Sequence, residues 1–554
     1  MLVLSQNTKR ESGRKAQTSN IQAAKAVASI VRTTLGPKAM LKMLLDPMGG
    51  IVVTNDGHAI LREIDVTHPA AKSLLEVSRA QDESVGDGTT SVIVLSGEML
   101  GVTEPLLERR IHPTQIVQSY MQVLDDINEI LATLGIPINV EDPAEVARIV
   151  RSSIDTKFVS RWGSMISDLA IKAASIVKTK LPNGQYEIDM KRYAKIEKIP
   201  GGSLSDSQVL DGVMFNKDVT HGRMRREIKN PRVLLLDCPL EYKKGESQTN
   251  VELTKESDFA AILKQEEEEV SRMCADIIAV RPDLVITEKG VSDLAQHFLM
   301  KANISCIRRV RKTDNNRIAR ISGATIVNRT EEISEAHVGS RCGLFRVAKL
   351  GDEYFTFLTD CRDPTACTVL LRGASKDVLN EIERNLQDAF NVARNVFLDP
   401  RLLPGGGATE MALSSILNKR ARAQTATVKE YPYKAAASAL EVIPRTLAQN
   451  AGADVIRVMT ELRSKHAQGE HFWGVDGVSG KVVDVRKSEI FDSFVVRQQI
   501  YRSAIESSAM MLRIDDIVSG VSSKKRDGPN GGGTMNQDDG EARDQETFGD
   551  SRDG

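Results

Sequence analysis

The segment Gly86-Asp87-Gly88-Thr89-Thr90-Ser91 stands directly before an apolar helical pattern that begins at Val92. Glycines let a backbone approach a phosphate closely, and the free N–H groups at a helix N-terminus favour an anion. The three hydroxyl side chains add donors, and Asp87 offers the oxygen ligand that Mg²⁺ takes together with phosphates. The same composition is common where an Asp or Thr caps a helix. The segment therefore predicts either a phosphate-binding loop or an ordinary capped turn.

A second glycine-rich segment, Pro404-Gly405-Gly406-Gly407-Ala408-Thr409-Glu410, also precedes a helical pattern. Three consecutive glycines cost backbone entropy, which favours a functional loop, although a flexible linker has the same composition. The nearest approach to a Walker A loop is the stretch from Gly474 to Val482. Its outer glycines are one residue too far apart, and Val482 replaces the required Ser or Thr. P-loop kinases and motors are therefore disfavoured.

The bulk composition is that of a globular protein with several domains. The chain has 554 residues, 41% of them apolar and 27% charged, and this length predicts about two to four domains. Lys plus Arg is 74 and Asp plus Glu is 75, so a basic excess that would favour nucleic acid is missing. No apolar run approaches the roughly 18 residues of a membrane span, and the N-terminus lacks the apolar stretch of a signal peptide. Six sparse cysteines make a reducing cytosol the default compartment.

Glycine-containing breaks in the pattern divide the chain into three regions and a tail. Helical patterns dominate from 69 to 135, whereas strand-like runs such as 233–237 and 284–287 alternate with helical ones in the middle third. Ile199-Pro200-Gly201-Gly202-Ser203 and Arg372-Gly373-Ala374-Ser375 are candidate hinges, and helical patterns then return to about residue 520. The Gly-, Asp- and Ser-rich stretch from 522 to 554 predicts a disordered tail.

A short early segment has the pattern of a β-hairpin. The β-branched run 51–54 meets Asn55-Asp56-Gly57, a frequent hairpin turn, and the apolar residues 59–61 follow. We therefore expect residues 51–54 to pair with 59–61.

In combination, these segments resemble the group II chaperonin family. The family pattern is carried here by Leu35-Gly36-Pro37, Asn55-Asp56-Gly57, residues 86–91 and Gly405 to Gly407, in that order. The resemblance runs from about residue 2 to about residue 520. Longer strings resemble one subunit type of the eukaryotic cytosolic members; they lie at 4–12, 289–324, 352–357 and 513–520.

The resemblance implies a multidomain α+β fold with nested domains. Residues 1–141 and 400–520 would form a mainly helical equatorial ATP-binding domain, and 142–212 with 373–399 an intermediate hinge domain. Residues 213–372 would form an α/β apical client-binding domain with a helical lid protrusion near 242–275, and 521–554 the disordered tail. Nesting would bring the early and late glycine loops together.

The resemblance also implies ATP and Mg²⁺ as cofactors. Asp87 would bind Mg²⁺. Residues that would hold the phosphates or lie near the terminal one are Gly36, Gly88, Thr89, Thr90, Ser91, Thr156 and Lys157. Residues that would line the nucleoside side are Gly405, Gly474, Asp492 and Arg497. The family often has Glu-Pro where this chain has Asp492-Ser493, which puts the base or ribose contacts there in question.

Asp388 and Asp56 are the water activators that the resemblance implies. The apolar stripe of the Asp388 helix is formed by Ile382, Leu386, Ala389, Ala393 and Val396. Asp388 falls on the opposite face with Glu381, Arg384 and Asn391, and this pattern alone predicts a solvated surface charge. Only the family resemblance makes Asp388 catalytic.

Two further features have a structural and a functional interpretation. Leu294 and Phe298 belong to an apolar stripe, and Arg308, Arg309 and Arg311 follow it; the resemblance implies client binding there, whereas the pattern alone favours a core helix and a solvated basic loop.

Two cysteines form a candidate disulfide. A hairpin could place Cys361 and Cys367 face to face, although a reducing compartment disfavours a persistent disulfide.

The function implied by the resemblance is an ATP-driven chaperone subunit of the cytoplasm. It would assemble with paralogous subunits into a hetero-oligomeric double ring that encloses unfolded clients such as actin and tubulin. No nucleic acid or membrane partner is expected. One alternative is a mainly structural ring subunit with weak ATP turnover, and another is a small-molecule phosphotransferase, for which the sequence suggests no separate acceptor pocket.

Overall fold

A computed structural model describes residues 9–45, 49–140, 142–154, 162–182, 186–242, 256–423 and 428–519. The helices in these ranges are α1 (Arg14–Arg32), α2 (Gly57–Glu63), α3 (Pro69–Val85), α4 (Thr89–Glu108), α5 (Pro113–Leu134), α6 (Pro143–Ile154), α7 (Gly163–Val177), α8 (Met190–Tyr193), α9 (Glu256–Ala279), α10 (Asp293–Lys301), α11 (Lys312–Ser322), α12 (Lys376–Leu398), α13 (Ala408–Ala423), α14 (Glu430–Leu440), α15 (Val442–Asn450), α16 (Val455–Ala467) and α17 (Phe494–Leu512).

The strands are short and fall into several small sheets. They are β1 (Lys9–Ser12), β2 (Lys42–Leu45), β3 (Ile51–Thr54), β4 (Ile136–Pro137), β5 (Thr179–Lys180), β6 (Tyr186–Glu187), β7 (Ala194–Pro200), β8 (Gln208–Leu210), β9 (Val213–Phe215), β10 (Glu227–Lys229), β11 (Val233–Leu236), β12 (Leu284–Thr287), β13 (Ser305–Ile307), β14 (Ile326–Val327), β15 (Leu344–Leu350), β16 (Glu353–Thr359), β17 (Cys367–Gly373), β18 (Arg401–Pro404), β19 (Trp473–Val475), β20 (Val482–Asp484), β21 (Phe491–Ser493) and β22 (Asp516–Ser519).

The largest buried cluster combines the two ends of the chain. It contains apolar side chains of α1, α3, α4 and α5 together with those of α13 to α17. The terminal strands β1 and β22 pair antiparallel, with Arg10 opposite Val518. Both ends of the chain therefore build one helical unit around α4.

Helix α4 is long and apolar enough to cross a membrane by composition alone, and 67% of its apolar window is buried inside the protein. Its side chains pack in the largest buried cluster. We therefore interpret α4 as the core helix of this unit.

Two helices of this unit begin at His-Pro pairs. The rings of His68 and His112 accept hydrogen bonds from backbone N–H groups two residues further on, at 3.2 and 3.3 Å. The following prolines, Pro69 and Pro113, occupy the first helical position, where a missing N–H costs nothing.

A second buried cluster lies entirely within residues 213–366. Its parallel sheet has the strand order β13-β12-β11-β14, and an antiparallel sheet has the order β10-β15-β16-β9. The runs 233–236 and 284–287 pair in register, Val233 with Leu284, and are buried throughout. Helices α9, α10 and α11 contribute apolar side chains to the same cluster.

A third cluster joins α6 and α7 to α12 and to the parallel pair β7–β17. The two candidate hinges meet here, because the N–H of Gly201 donates to the carbonyl of Gly373 at 2.7 Å. The chain passes between the second and third clusters near residues 210–213 and 366–367, and these two crossings lie side by side because Leu210 of β8 pairs with Thr368 of β17.

The hairpin expected between residues 51–54 and 59–61 is wrong, because residues 59–61 lie in helix α2. Strand β3 pairs with β2 instead, Thr54 opposite Lys42. The Asp56 carboxylate accepts the N–H of Ala59 at 2.9 Å and caps α2. An Asp at this position stabilises a helix start as readily as a turn, and in this protein Asp56 caps a helix.

The structure does not bring together Cys361 and Cys367, the candidate disulfide pair, and both are free. Cys361 lies in the second cluster, whereas Cys367 opens β17 in the third, where its thiol faces the carbonyl of Ala173 at 3.9 Å. Extending the β15–β16 register past Leu344 and Thr359 sets Cys342 opposite Cys361. The Cys342 thiol donates to the carbonyls of Leu344 at 3.5 Å and Thr359 at 3.7 Å, and both cysteines are free.

Two expectations lie largely outside the described residues. The tail at 521–554 is one of them. Of the lid segment near 242–275, residues 243–255 are not described, and α9 covers the remainder.

We expect treatment of the folded protein with hydrogen peroxide to link Cys342 with Cys361, because cross-strand positions satisfy the distance that a disulfide requires. Peptide mapping without reduction measures the link, and Cys342→Ser should abolish it. A Cys361–Cys367 peptide would contradict the strand register.

Candidate functional site

A cavity of about 790 Å³ lies where the first and third buried clusters meet. A volume of this size is typical of small-molecule sites. Its lining comes from distant segments of the chain, which are 34–37, 55–56, 87–91, 151–153, 475–478 and 488–490, together with single residues such as Gly406, Asp492 and Arg497. Both ends of the chain therefore contribute to one site.

The predicted phosphate loop forms the turn from α3 into α4. Gly86 and Gly88 have left-handed φ angles of 67° and 79°, which favour glycine. Gly88 is the N-cap of α4, and no side chain caps this helix end. Asp87 instead accepts its neighbour's N–H at 2.7 Å and the Ser153 hydroxyl at 3.2 Å. The capped-turn interpretation is therefore disfavoured, and the helix start offers backbone donors to an anion.

Asp56 lies against the same helix start. The Thr89 hydroxyl donates to one oxygen of its carboxylate at 3.0 Å, and the N–H of Ala59 donates to the other. A Cβ on Gly57 would approach the Thr90 hydroxyl to 2.6 Å. The glycine therefore permits the close packing that brings Asp56 to the loop.

The late glycine segment packs on the opposite wall. The N–H of Gly405 donates to Ile490 at 3.0 Å, and the carbonyl of Gly406 accepts from Val475 at 2.8 Å. A Cβ on Gly474 would lie 3.0 Å from both glycine carbonyls. Gly406 and Val475 line the cavity, and Gly405 and Gly474 lie directly behind them. Gly36 lines the other side of the cavity.

A buried charge network fixes Asp492. Arg497 donates to the Asp492 carboxylate at 2.9 and 2.6 Å and to Glu410 at 2.7 Å, and Tyr501 donates to Glu410 at 2.8 Å. Burial opposes the charge of Arg497, but Asp492 and Glu410 outweigh it and raise the arginine pKa. No sequence motif pointed to Glu410, which ends the second glycine-rich segment and is fully buried. The Asp492 side chain is shorter than the Glu that the family often has at this position, and Arg497 holds its carboxylate at the cavity.

The face of α12 that carries Asp388 is partly covered by other segments of the protein, whereas its pattern alone predicted a solvated face. Glu381 is only 5% exposed, and Asn391 packs so closely on Gly86 that a Cβ there would overlap it. Asn395 donates to the carbonyl of Val85 at 2.8 Å. Asp388, half-buried, lies on this face between the two ends, although it is not among the described residues that line the cavity.

Helix α6 contributes residues that no motif indicated. Arg148, Arg151, Ser152 and Ser153 line the cavity, and Arg148 pairs with Glu489 at 2.9 Å. The only sequence signal for these cavity-lining residues was the pair of cations, Arg148 and Arg151, that precedes Ser152 and Ser153. The predicted Thr156 and Lys157, directly after α6, lie outside the described residues.

The predicted client-binding residues lie in the second cluster, away from this cavity. Leu294 and Phe298 are half-buried and pack against the cluster from α10. Arg308, Arg309 and Arg311 are exposed in the loop before α11.

The chemistry of the cavity suits a phosphate ligand with a divalent metal ion. Uncapped N–H groups and hydroxyls stand at one wall, and the carboxylates of Asp56 and Asp87 stand beside them. Among the residues that the structure describes, no three His, Cys, Asp or Glu side chains cluster as a complete metal site. A single carboxylate at the phosphates fits Mg²⁺, which usually takes few protein ligands beside phosphate oxygens.

Comparison with known proteins gives a consistent family. The TCP-1/cpn60 chaperonin family matches residues 27–522. The chain is similar to the T-complex protein 1 subunit gamma of Oxytricha granulifera, at 62% identity over 100% of this chain and 99% of that protein. It is also similar to the proteins of the same name from Homo sapiens, at 59% identity over 96% and 98%, and Schizosaccharomyces pombe, at 59% over 94% and 98%.

We expect Gly86→Ala to lower the melting temperature of the protein in its purified state. A left-handed φ costs a residue with a Cβ roughly 1–2 kcal/mol, and the new methyl group would displace Asn391 and with it α12. Gly222→Ala is the matched control, because its φ is ordinary and no atom lies within 4 Å of the new Cβ. Equal melting temperatures would contradict the close contact between α12 and the loop.

Proposed function

The chain belongs to the TCP-1/cpn60 chaperonin family, and we propose that it is an ATP-hydrolysing subunit of the gamma type in a hetero-oligomeric double ring that folds cytosolic proteins. One observation carries the ATPase assignment. Two glycine-rich segments more than 300 residues apart line or back the same cavity, with Asp56 and Asp87 between them. The names of the relatives, and the strings at 289–324 and 352–357, support the gamma type.

The three buried clusters support the nested domain architecture. The cluster from both chain ends corresponds to the equatorial domain, the one within 213–366 to the apical domain, and the third to the intermediate domain. Because Cys367, Val369 and Leu371 pack in the third cluster, we move the proposed end of the apical domain from 372 to about 366.

The phosphates of ATP would bind at the start of α4. Its uncapped N–H groups and the hydroxyls of Thr89, Thr90 and Ser91 would donate to phosphate oxygens. Asp87, already turned toward Ser153, would hold Mg²⁺. When bound, the metal ion supplies positive charge that neutralises the phosphates. Gly36 would allow close approach of the nucleotide, Gly405 and Gly474 would back the nucleoside side of the wall, and Asp492 would present a carboxylate oxygen to the nucleoside.

Asp388 and Asp56 would orient and deprotonate the attacking water. A carboxylate can do this when it stands near the terminal phosphate, while positive groups stabilise the developing charge. The position of Asp388 on the docked face of α12 supports its role. We propose Thr156 and Lys157, which directly follow the cavity-lining end of α6, as contacts of the terminal phosphate.

The exposed β2–β3 hairpin supports assembly with other subunits. Met43 and Leu45 are 72% and 74% exposed, and Ile51 beside them is 59% exposed. Such apolar side chains grouped on one short hairpin favour a protein partner, and paralogous ring subunits are the partners that the family implies. We assign client binding to Leu294, Phe298 and the basic loop at 308–311, with actin and tubulin as candidate clients.

One observation favours the alternative of a mainly structural subunit with weak turnover. Both oxygens of Asp56 are engaged by the protein, and Asp388 does not line the cavity among the described residues. A rate measurement at this one site distinguishes the two functions.

We expect Asp388→Ala to keep ATP bound and to slow hydrolysis at this subunit by about 10² to 10⁴-fold, the usual effect of losing a general base. Single-turnover hydrolysis in purified complexes that contain the variant measures the rate. The retained ATP is counted per complex, because other active subunits would mask a steady-state rate.

Gln387→Ala is the matched control, since Gln387 is exposed on the next position of the same helix. One additional unhydrolysed ATP per variant subunit supports the catalytic function. Hydrolysis at this site in the Asp388→Ala complex at the rate of the unsubstituted complex would remove Asp388 from catalysis. Slow hydrolysis at this site in both complexes would support the structural alternative.

A further inference from the structure

Gln81 is a fully buried polar side chain in α3 that lies directly behind the phosphate loop. Its amide nitrogen donates to the backbone carbonyl of Asp87 at 3.0 Å. A carbonyl oxygen can only accept a hydrogen bond, so the nitrogen end of the amide must face it. The other end, Oε1, is buried and has no hydrogen-bond partner among the residues that the structure describes. The bond to Asp87 is therefore the contact that explains a polar side chain at this buried position.

This bond restrains the most adaptable part of the phosphate loop. Asp87 stands between Gly86 and Gly88, which both have left-handed φ angles. Glycine adopts left-handed and right-handed conformations about equally readily, so the peptide unit between Asp87 and Gly88 can turn over unless another group holds it. Gln81 holds its carbonyl from a helix that packing fixes in place, since Leu74 and Val85 of α3 are buried in the largest cluster.

The orientation of this peptide unit decides which group faces the cavity. In a planar trans peptide the C=O and the following N–H point in opposite directions. Because Gln81 holds the Asp87 carbonyl on the α3 side, the N–H of Gly88 points away from α3, and it donates to the Asp87 carboxylate at 2.7 Å. Asp87 and Gly88 both line the cavity. A turned-over peptide would present a carbonyl oxygen, which repels a phosphate, in place of an N–H group.

We propose that Gln81 is a positioning residue of the Mg-ATP site, whose amide keeps the Gly88 N–H and the Asp87 carboxylate directed at the nucleotide. The role rests on the proposed ATPase function, and Gln81 itself contacts only the backbone of Asp87 from behind. The second carboxylate oxygen of Asp87 accepts the Ser153 hydroxyl at 3.2 Å. A shift of the restrained peptide would therefore move the proposed metal ligand away from this partner as well.

Gln81→Met tests the role, because methionine has nearly the length and shape of glutamine but no N–H donor. The variant should raise the free Mg²⁺ concentration for half-maximal nucleotide binding at this subunit by about 10- to 100-fold, the usual effect of losing a partner that orients a metal ligand. Maximal binding at saturating Mg²⁺ should stay the same, because the cavity itself is intact. A merely structural glutamine would change the melting temperature and leave the Mg²⁺ requirement unchanged.

Photolabelling with an azido analogue of ATP measures this site separately from those of other subunits. Purified complexes are titrated with free Mg²⁺ at a saturating analogue concentration, and the label on peptides of this subunit is counted. Gln296→Met is the matched control. Gln296 is also buried, and its amide also donates to a backbone carbonyl, that of Val291 at 3.2 Å. It lies in α10, which packs in the second cluster, away from the cavity.

A raised Mg²⁺ requirement with unchanged maximal labelling in Gln81→Met, and a normal requirement in Gln296→Met, supports the role. If Gln81→Met does not assemble, Gln81→Leu, which also lacks the donor, takes its place. A Gln81 variant that assembles and keeps the normal Mg²⁺ requirement overturns the inference while the ATP site stands. Labelling that stays low at saturating Mg²⁺ shows a damaged cavity and also overturns it. An unsubstituted subunit that takes up no label overturns the ATP site and the inference together.

Discussion

Helix α12 docks its polar face on the turn between α3 and α4, and the candidate site depends on this contact. Asn395 donates to Val85, Arg394 donates to Ser84 at 2.7 Å, and Asn391 fills the space beside Gly86. The turn can make this contact only because Gly86 adopts a left-handed conformation without a Cβ. A helix from the last third of the chain is thereby fixed against a loop from its first fifth.

Charge distribution explains why the cavity suits a nucleotide with a metal ion. Asp56, Asp87 and Asp492 line its wall, while the cations Arg497 and Arg148 are already paired with carboxylates. Carboxylates close together repel one another, and a divalent cation offsets that repulsion. The uncapped start of α4 supplies the opposite preference, for the anionic phosphates. The cavity therefore offers carboxylates for the metal ion next to backbone donors for the phosphates, as Mg-ATP requires.

The sequence predicted the parts of the site that depend on local chemistry and left out those that depend on packing. Glycines before a helix predicted the phosphate loop, and the family order predicted that Gly405 would meet it. Helical periodicity identified the apolar face of α12 but could not tell what its polar face contacts, so the burial of Glu381 was not predicted. Asn55-Asp56-Gly57 fits a hairpin turn and a helix cap equally well, and only the pairing of β2 with β3 decides between them. The cysteine spacing misled for a similar reason, because strand register rather than proximity in sequence sets the neighbour of Cys361.

The most direct test is hydrogen–deuterium exchange on the purified complex, with and without a non-hydrolysable ATP analogue and Mg²⁺. If one nucleotide is held by both ends of the chain, amide exchange should slow together at 86–92 and at 405–411. The control segment is the buried pair β11–β12, which lies in another cluster and should not change. Protection of only one glycine segment, with the analogue bound, would contradict a site built from both ends of the chain.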